Sequence, residues 1–290
     1  MDPLERVNLL PLMERSKGRV DITLGLIDGP VVMDHPELTD NIREVRKQRG
    51  ACARSNSAAC QHGTFVAGIL SGRRGSVAPA ICPGCTLLIC PIFPEGCFVD
   101  KGMPSATPEE LAGAIRETVQ GGARVINISA ALARPSTGRE RELEQALDYA
   151  AVRSVLVVAA AGNQAMLGSS AITRHPWVIP VTACDSNGKP IKESNLASSI
   201  GKRGLSAPGE NISSLGTNGK PQTGGGTSAA APFVTGTIAL LWSEFPSATA
   251  TQLRVSLCQA NGTRRNTIVP PLLDAWAAYQ AMTAYGARNV

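Results

Sequence analysis

The feature that most constrains the fold of this chain is a repeated alternation of short, strongly apolar segments with longer helical patterns. Segments typical of buried strands occupy positions 22–27, 87–93, 125–128, 155–159 and 177–183. Helical patterns occupy positions 63–70, 108–120, 139–152, 227–242, 250–259 and 274–285. Strands that alternate with helices favour a parallel sheet with helices on both faces. The sequence therefore predicts an α/β fold, a three-layer α/β/α sandwich around a mainly parallel central sheet.

The composition argues for one domain and against nucleic acid as a partner. No linker, repeat or low-complexity tract divides the 290 residues, so we expect a single domain over 1–290 with an N-terminal extension at 1–20. The net charge of +5 comes from scattered Lys and Arg, with a local excess at 43–49. That excess indicates either a solvated loop or a site for an acidic partner. No basic cluster is interleaved with aromatic residues, as nucleic-acid modules require.

The N-terminal segment predicts a cytoplasmic protein. Charges are interspersed over positions 1–19, and no apolar stretch typical of a signal peptide is present there. The longest apolar run, at 155–161, is too short to span a bilayer. We therefore expect a soluble protein without a membrane partner.

Eight cysteines leave the redox chemistry open. Those in apolar strand or helix patterns are expected to be buried thiols, namely Cys90, Cys184 and Cys258. The others are expected in loops, namely Cys52, Cys60, Cys82, Cys85 and Cys97. A local Cys52–Cys60 disulfide fits this pattern, although five loop cysteines cannot all pair. The single CxxC at 82–85 lacks the further ligands that a zinc site needs.

A glycine-rich run at 224–226 leads into an apolar helix at Thr227, and Ser228 lies at the start of that helix. Free N–H groups and the positive end of the helix dipole favour negative charge at this point. The residues alone allow two roles for Ser228, a helix cap or a nucleophile. If Ser228 is the nucleophile, Thr227 is the more natural cap.

Three further polar residues lie at the ends of predicted elements. Asp28 follows the first strand, His62 opens a helix of small apolar residues, and Asn163 follows the strand that ends near 160. Each also has a structural interpretation, as a turn, a cap or a surface residue. The other two histidines, His35 and His175, lie in polar turns before prolines and are expected to be structural.

Taken together, these motifs resemble the subtilisin-like serine proteases from about position 22 to 280. Asp28 at a strand end, His-Gly-Thr-x-Val-Ala-Gly at His62, Ala-Ala-Gly-Asn at Asn163 and Gly-Thr-Ser-x-Ala-x-Pro at Ser228 carry the resemblance. It implies that Ser228 is the nucleophile, that His62 is its general base and acid, and that Asp28 orients the imidazole. It also implies that Asn163 donates to the oxyanion together with the backbone N–H of Ser228.

The same resemblance implies where a peptide substrate binds. Ser129, Ala130 and Ala131 look like the strand that pairs with the substrate backbone, while Ala160 and Gly162 look like the wall of a specificity pocket. No calcium loop of the family is recognisable, and we expect no metal or cofactor.

Two departures from the family pattern are visible. Gly29 and Pro30 follow Asp28, where the family has a small polar residue and glycine, and Ala130-Ala131 replaces a bulkier residue and glycine. With these departures, the chain is similar to the leader-cleaving proteases of cyanobactin-type peptide pathways.

Three functions remain as hypotheses. The first is an intracellular endopeptidase that removes the leader of a ribosomal precursor peptide. The second is a general degradative protease, which shares the chemistry but not the selectivity. The third is a non-catalytic peptide-binding module on a protease scaffold, which the filled catalytic positions disfavour.

Overall fold

The structure of the chain is a computed structural model that describes residues 2–45, 51–95, 106–130, 140–259 and 267–287. Cys97, Ala131 and part of the basic segment at 43–49 lie outside these ranges. In the described ranges, no helix combines the length and apolar character that crossing a membrane requires.

The centre of the fold is a seven-stranded sheet in the order β2-β3-β1-β4-β5-β6-β7, and every neighbouring pair is parallel. Its strands are β1 (Thr23–Asp28), β2 (Ile42–Glu44), β3 (Thr86–Pro91), β4 (Val125–Ile128), β5 (Leu156–Ala160), β6 (Val178–Cys184) and β7 (Leu205–Pro208). The strands β8 (Ile212–Leu215) and β9 (Pro221–Gly224) form a separate antiparallel pair. The predicted mainly parallel sheet is confirmed.

Helices cover both faces of this sheet. They are α1 (Pro3–Arg6), α2 (Leu10–Arg15), α3 (Ala58–Ser71), α4 (Pro108–Gln120), α5 (Arg141–Val152), α6 (Ala171–Arg174), α7 (Ser198–Arg203), α8 (Thr227–Glu244), α9 (Ala250–Gln259) and α10 (Ala275–Ala287). On one face, α8 crosses β4 to β7 and packs beside α3. On the other face, α4 and α5 pack together over β1, β3 and β5. The predicted three-layer α/β/α arrangement is confirmed.

The apolar sequence of α8 explains why this helix lies in the core. Every residue from Thr227 to Ser243 is buried, so the helix has no solvated face. A helix that is apolar all round belongs in a core. Because α8 starts at the edge where the parallel strands end, its first residues contact residues that follow β4 and β5: Ser129 donates to the Ser228 carbonyl, and the Gly162 N–H donates to the Thr227 hydroxyl.

The sequence prediction missed several short elements and misplaced one helix start. It did not include β2, β7, α1, α2, α6 or α7, all of which are short and lack a clear period. Helix α3 begins at Ala58 rather than at 63, because the Ser57 side chain accepts a hydrogen bond from the Cys60 N–H at 3.1 Å and caps an earlier turn. His62 therefore lies inside α3 rather than at its first residue.

The N-terminal extension packs into the core. Val7, Leu9 and Leu12 are fully buried and belong to the same apolar cluster as α8. The guanidinium of Arg74 donates to the carbonyls of Met13 and Ser16, which holds this segment against the loop before β3.

Candidate active site

Asp28, His62 and Ser228 form one continuous hydrogen-bonded line. The Nδ1 atom of His62 lies 2.7 Å from Oδ1 of Asp28, and its Nε2 atom lies 3.0 Å from Oγ of Ser228. Asp28 is fully buried, the His62 side chain is 21% exposed and Ser228 is 8% exposed. The structure thus brings together three side chains that are far apart in sequence, with only the imidazole and hydroxyl near solvent.

The end of β1 and the start of α3 approach each other through two glycines. A Cβ atom on Gly29 would lie 2.0 Å from the carbonyl oxygen of Ala59, and one on Gly63 would lie 2.5 Å from the carbonyl oxygen of Gly29. Side chains at these positions would push Asp28 away from His62. This contact explains why glycine follows Asp28 in this chain, where the family pattern has a small polar residue.

The Asp28 carboxylate is held on one side only. Oδ1 accepts hydrogen bonds from the Gly29 N–H at 2.5 Å and from His62, whereas buried Oδ2 has no hydrogen-bond partner among the described residues. A small hydroxyl residue after Asp28 could have supplied a donor to the carboxylate, but the close approach of Ala59 leaves room for glycine alone.

Opposing effects set the protonation of His62. Burial lowers the pKa of the imidazole, while the charge of Asp28 and the hydrogen bond to it raise the pKa. The two effects of Asp28 together exceed that of burial, so the pKa of His62 lies above its ordinary value.

Asn163 contacts the start of α8 through its carbonyl oxygen. Oδ1 accepts from the Thr227 N–H at 2.8 Å and from the Thr227 hydroxyl at 3.0 Å. The Thr227 hydroxyl in turn accepts from the Gly162 N–H at 3.1 Å. With Oδ1 fixed in this way, Nδ2 of Asn163 is the end of the amide left to donate elsewhere.

The expected cap at Thr227 is wrong. Helix α8 is preceded by Gly226, whose φ of +91° lies in the region that favours glycine, and no side chain caps the helix. A Cβ on Gly226 would lie 2.7 Å from Nδ2 of Asn163. Thr227 is the first helical residue, and its hydroxyl orients Asn163 instead of capping α8.

Asn195 is a structural residue of the site that the sequence did not indicate. Its Oδ1 accepts from the N–H groups of Gln164 and Met166 at 3.1 and 3.0 Å, and its Nδ2 donates to the Ala161 carbonyl at 3.1 Å. Asn195 therefore braces the loop that carries Asn163. It lies in a polar segment with no periodic signal, so only the fold reveals its role.

The residues expected to bind substrate lie at the ends of β4 and β5. Ser129 is 5% exposed and directs its hydroxyl beneath Ser228, while Ala130 is partly buried beside it. Ala160 ends β5, and Gly162 follows with a φ of +106°. Ala131 lies outside the described residues. Ser129 and Gly162 form hydrogen bonds with the start of α8, and the role of the four described positions in binding stays a prediction.

Two clefts are lined in part by residues close in sequence to the candidates: Pro30 lies two positions after Asp28, and Gly226 lies two positions before Ser228. One of about 770 Å³ extends from Pro30 to Ile92, and one of about 440 Å³ borders Asn163 and Gly226. Their acidic lining residues are Glu95, Glu109, Glu110 and Glu117 in the first cleft and Glu193 and Glu210 in the second.

Cys52 and Cys60 form a disulfide at the start of α3. With Glu95 they are the one group of described residues whose spacing would suit a metal. The disulfide removes both thiolates as ligands, and the Glu95 carboxylate already accepts from the Ala53 and Arg54 N–H groups at 2.9 Å. The group thus serves as a cross-link and fits a metal poorly.

The other described cysteines and the two remaining histidines lie outside the hydrogen-bonded line of Asp28, His62 and Ser228. Cys82 and Cys85 are buried beside each other below Gly18, Cys90 and Cys184 are buried as expected, and Cys258 is only partly buried. His35 accepts from the Glu37 N–H, and His175 lies 3.1 Å from the Asp148 carboxylate. These contacts suit the structural roles expected for both histidines.

Comparison with known proteins gives a consistent family. Residues 19–271 match the profile of the subtilase family. A thermostable alkaline protease of Halalkalibacterium halodurans is 30% identical over 199 residues, which cover 68% of this chain and 51% of that protein. The chain spans between 39% and 59% of the length of the first curated relatives that it matches.

Two solved structures extend this comparison to the fold. The protease domain of PatA is 30% identical to this chain and superposes with a TM-score of 0.82. The superposition covers 92% of this chain and 97% of that domain. PatA is described as a patellamide maturation protease. The prenylagaramide maturation protease PagA is 27% identical and superposes with a TM-score of 0.80, over 94% of this chain and 98% of PagA. The predicted similarity to proteases of cyanobactin pathways is confirmed.

Proposed function

The chain belongs to the subtilase family, and on that premise we propose that it is a serine endopeptidase that uses Ser228, His62 and Asp28 to hydrolyse peptide bonds. The observation that carries this proposal is the unbroken line of hydrogen bonds from Asp28 Oδ1 through the imidazole to Ser228 Oγ.

In the first chemical step, Ser228 Oγ attacks the carbonyl carbon of the scissile bond while Nε2 of His62 takes the hydroxyl proton. The tetrahedral intermediate collapses when the imidazolium gives that proton to the departing amine. Water then repeats the sequence on the acyl-enzyme, with His62 again as base. The buried charge of Asp28 favours the imidazolium in both steps, in keeping with the raised pKa of His62.

The negative charge on the substrate oxygen needs donors that are already oriented. Nδ2 of Asn163 is one candidate, because Thr227 fixes Oδ1 at the opposite end of the amide. The N–H of Ser228, in the first turn of α8, is the other. Donors fixed before the reaction need no reorganisation as the charge develops.

We further propose that the substrate is a ribosomal precursor peptide whose leader is removed. The support is the similarity to PatA and PagA, two maturation proteases that this chain matches over more than nine-tenths of its length. The cleft of about 440 Å³ that Asn163 and Gly226 line provides space for a peptide next to the proposed oxyanion donor.

The nucleophile is tested by reacting the full chain with a fluorophosphonate probe. We expect wild type and Ser256→Ala, which removes a buried hydroxyl from α9, to be labelled, and Ser228→Ala and His62→Ala not to be. Circular dichroism establishes that each variant is folded. A folded wild type that stays unlabelled, or a labelled Ser228→Ala variant, would refute the proposed chemistry.

Selectivity is tested by digestion of unfolded casein beside precursor peptides encoded next to this gene. We expect a single cut in a precursor peptide at a rate far above that of any cut in casein. Comparable rates on both substrates would instead identify a general degradative protease.

A further inference from the structure

A proline lies in α8 one turn after the proposed nucleophile. Pro232 lies inside the helix, six residues into it, where a backbone N–H would normally donate to the carbonyl four residues earlier. That carbonyl belongs to Ser228. Because proline has no N–H, this bond cannot form, and the ring crowds the same carbonyl. The backbone of the reactive residue therefore loses a helical hydrogen bond in a buried site.

A side chain from the sheet supplies the missing donor. The hydroxyl of Ser129, which follows β4, donates to the Ser228 carbonyl oxygen at 3.2 Å. Ser129 is 5% exposed and Ser228 is 8% exposed, so water has little access to this carbonyl. An unpaired buried carbonyl is costly, which gives the Ser129 hydroxyl a defined task.

Two further buried groups orient Ser129. Nδ2 of Asn127 donates to the Ser129 hydroxyl oxygen at 2.7 Å, which leaves the Ser129 proton to point at Ser228. The Thr235 hydroxyl donates to Oδ1 of Asn127 at 2.9 Å, with the Ala231 carbonyl as a more distant second acceptor at 3.2 Å, and this contact selects which end of the amide faces Ser129. Asn127 and Thr235 are both fully buried.

The chain of hydrogen bonds through Asn127 and Ser129 starts and ends on α8. Thr235 lies two turns after Ser228 on the same side of that helix, and Asn127 and Ser129 lie on the face of β4 that α8 covers, since side chains alternate along a strand. Ser129 also donates its own N–H to the Ile27 carbonyl at 3.3 Å, next to Asp28. One network thus ties the nucleophile helix to the strand that carries the proposed aspartate.

We propose that Ser129, Asn127 and Thr235 are positioning residues that hold Ser228 in reactive geometry by replacing the hydrogen bond that Pro232 removes. Their proposed effect requires no contact between these side chains and the substrate, because the network acts on the backbone of Ser228. The inference rests on the proposed function of Ser228.

A double-mutant cycle with Pro232→Ala tests the inference, since alanine restores an N–H that can donate to the Ser228 carbonyl. We expect Ser129→Ala to lower the second-order rate of fluorophosphonate labelling about tenfold in the wild-type chain, the effect of one lost hydrogen bond in a buried site. In the Pro232→Ala background the same change should cost less than about twofold, because the helical bond has taken over.

The matched control is Ser243→Ala, which removes another buried hydroxyl that donates to a carbonyl of α8, at 2.8 Å from Ala239, far from the site. It should lower the melting temperature without slowing labelling. Should Pro232→Ala fail to fold, Thr235→Val takes its place in the cycle. It should slow labelling about threefold alone and add almost nothing to Ser129→Ala, because both act through one network.

Equal losses from Ser129→Ala in both backgrounds, or rates that match Ser243→Ala, would overturn the inference. So would full additivity of Thr235→Val and Ser129→Ala. These outcomes differ from failure of the proposed function, in which the wild type itself is not labelled.

Discussion

The two helices that carry the reactive pair are anchored in different ways. The start of α3, near His62, is held by its own neighbours in sequence: the Ser57 cap is three residues from Cys60, and the Cys52–Cys60 disulfide spans eight. The start of α8, near Ser228, has no side-chain cap. Its contacts come from Asn163 and Ser129, which are 64 and 99 residues from their partners.

The difference indicates how each helix start should respond to mutation. Local anchors shape a helix whatever the rest of the chain does, so their loss should affect stability more than chemistry. Long-range anchors are also the groups that contact the proposed nucleophile and the proposed oxyanion position, so their loss should affect the rate directly.

Removal of the Asn163 side-chain amide should have the largest effect on the rate. We expect Asn163→Ala to lower kcat by about 10²–10³-fold with a small change in KM, as is typical for loss of one oxyanion donor. Thr227→Val keeps the backbone bond to Asn163 but loses the hydroxyl, so it should cost about tenfold. Steady-state kinetics on a peptide substrate measure both. If Asn163→Ala raises KM alone, the amide binds substrate instead of the oxyanion.

The pH dependence of the labelling rate should report the hydrogen bond between His62 of α3 and Asp28 of β1. Because the pKa of His62 is raised above its ordinary value of 6.5, the base is protonated to higher pH and activity should fall through a midpoint above pH 6.5. At pH 6 the labelling rate should be more than about fourfold below its plateau. The rate of fluorophosphonate labelling between pH 5 and 9 gives the midpoint.

A direct titration sharpens this test. In the unreactive Ser228→Ala variant, NMR should show His62 titrating above 6.5, with His35 and His175 as the other two signals. Asp28→Asn removes the charge but keeps the burial that lowers the pKa, so the midpoint should fall. Because the folded protein raises the pKa of His62, the protonated His62–Asp28 pair stabilises the fold at low pH. This contribution to the free energy of unfolding disappears as the pH rises through the raised pKa. An unchanged midpoint in Asp28→Asn would contradict this account.

Loss of the local cross-link should have the smallest effect on rate. We expect the double variant Cys52→Ser, Cys60→Ser to keep kcat within about twofold, while the free energy of unfolding falls by about 2–3 kcal/mol, the loop-closure value for a bridge of this span. Urea denaturation and peptide kinetics measure the two quantities. Reductant should destabilise the wild type and leave the variant unchanged. A loss of rate much above tenfold would show that the local anchor also controls the chemistry.

The sequence predicted most of the long elements of the fold because their signals are local. Helix α4 is predicted from Pro108 to Gln120, and the structure has these bounds, with a capping box of Thr107 and Glu110 at its start and Gly121 as its C-cap. Strand β4 was also placed correctly at 125–128. The start of α3 was misplaced, since the Ser57 cap lies in a polar run where several residues could serve. Short strands such as β2 exist only through pairing with a neighbour.

By itself, the sequence determined the α/β alternation and the places of Asp28, His62, Asn163 and Ser228 at or near the ends of elements, because periodicity and motif spacing are properties of neighbouring residues. Only the tertiary structure decided that Asn195 braces the Asn163 loop, that Thr227 orients Asn163 and that Ser129 donates to Ser228. Hydrogen bonds of this kind depend on strand order and register, which bring distant residues together at one edge of the sheet. No local pattern in a chain carries that information.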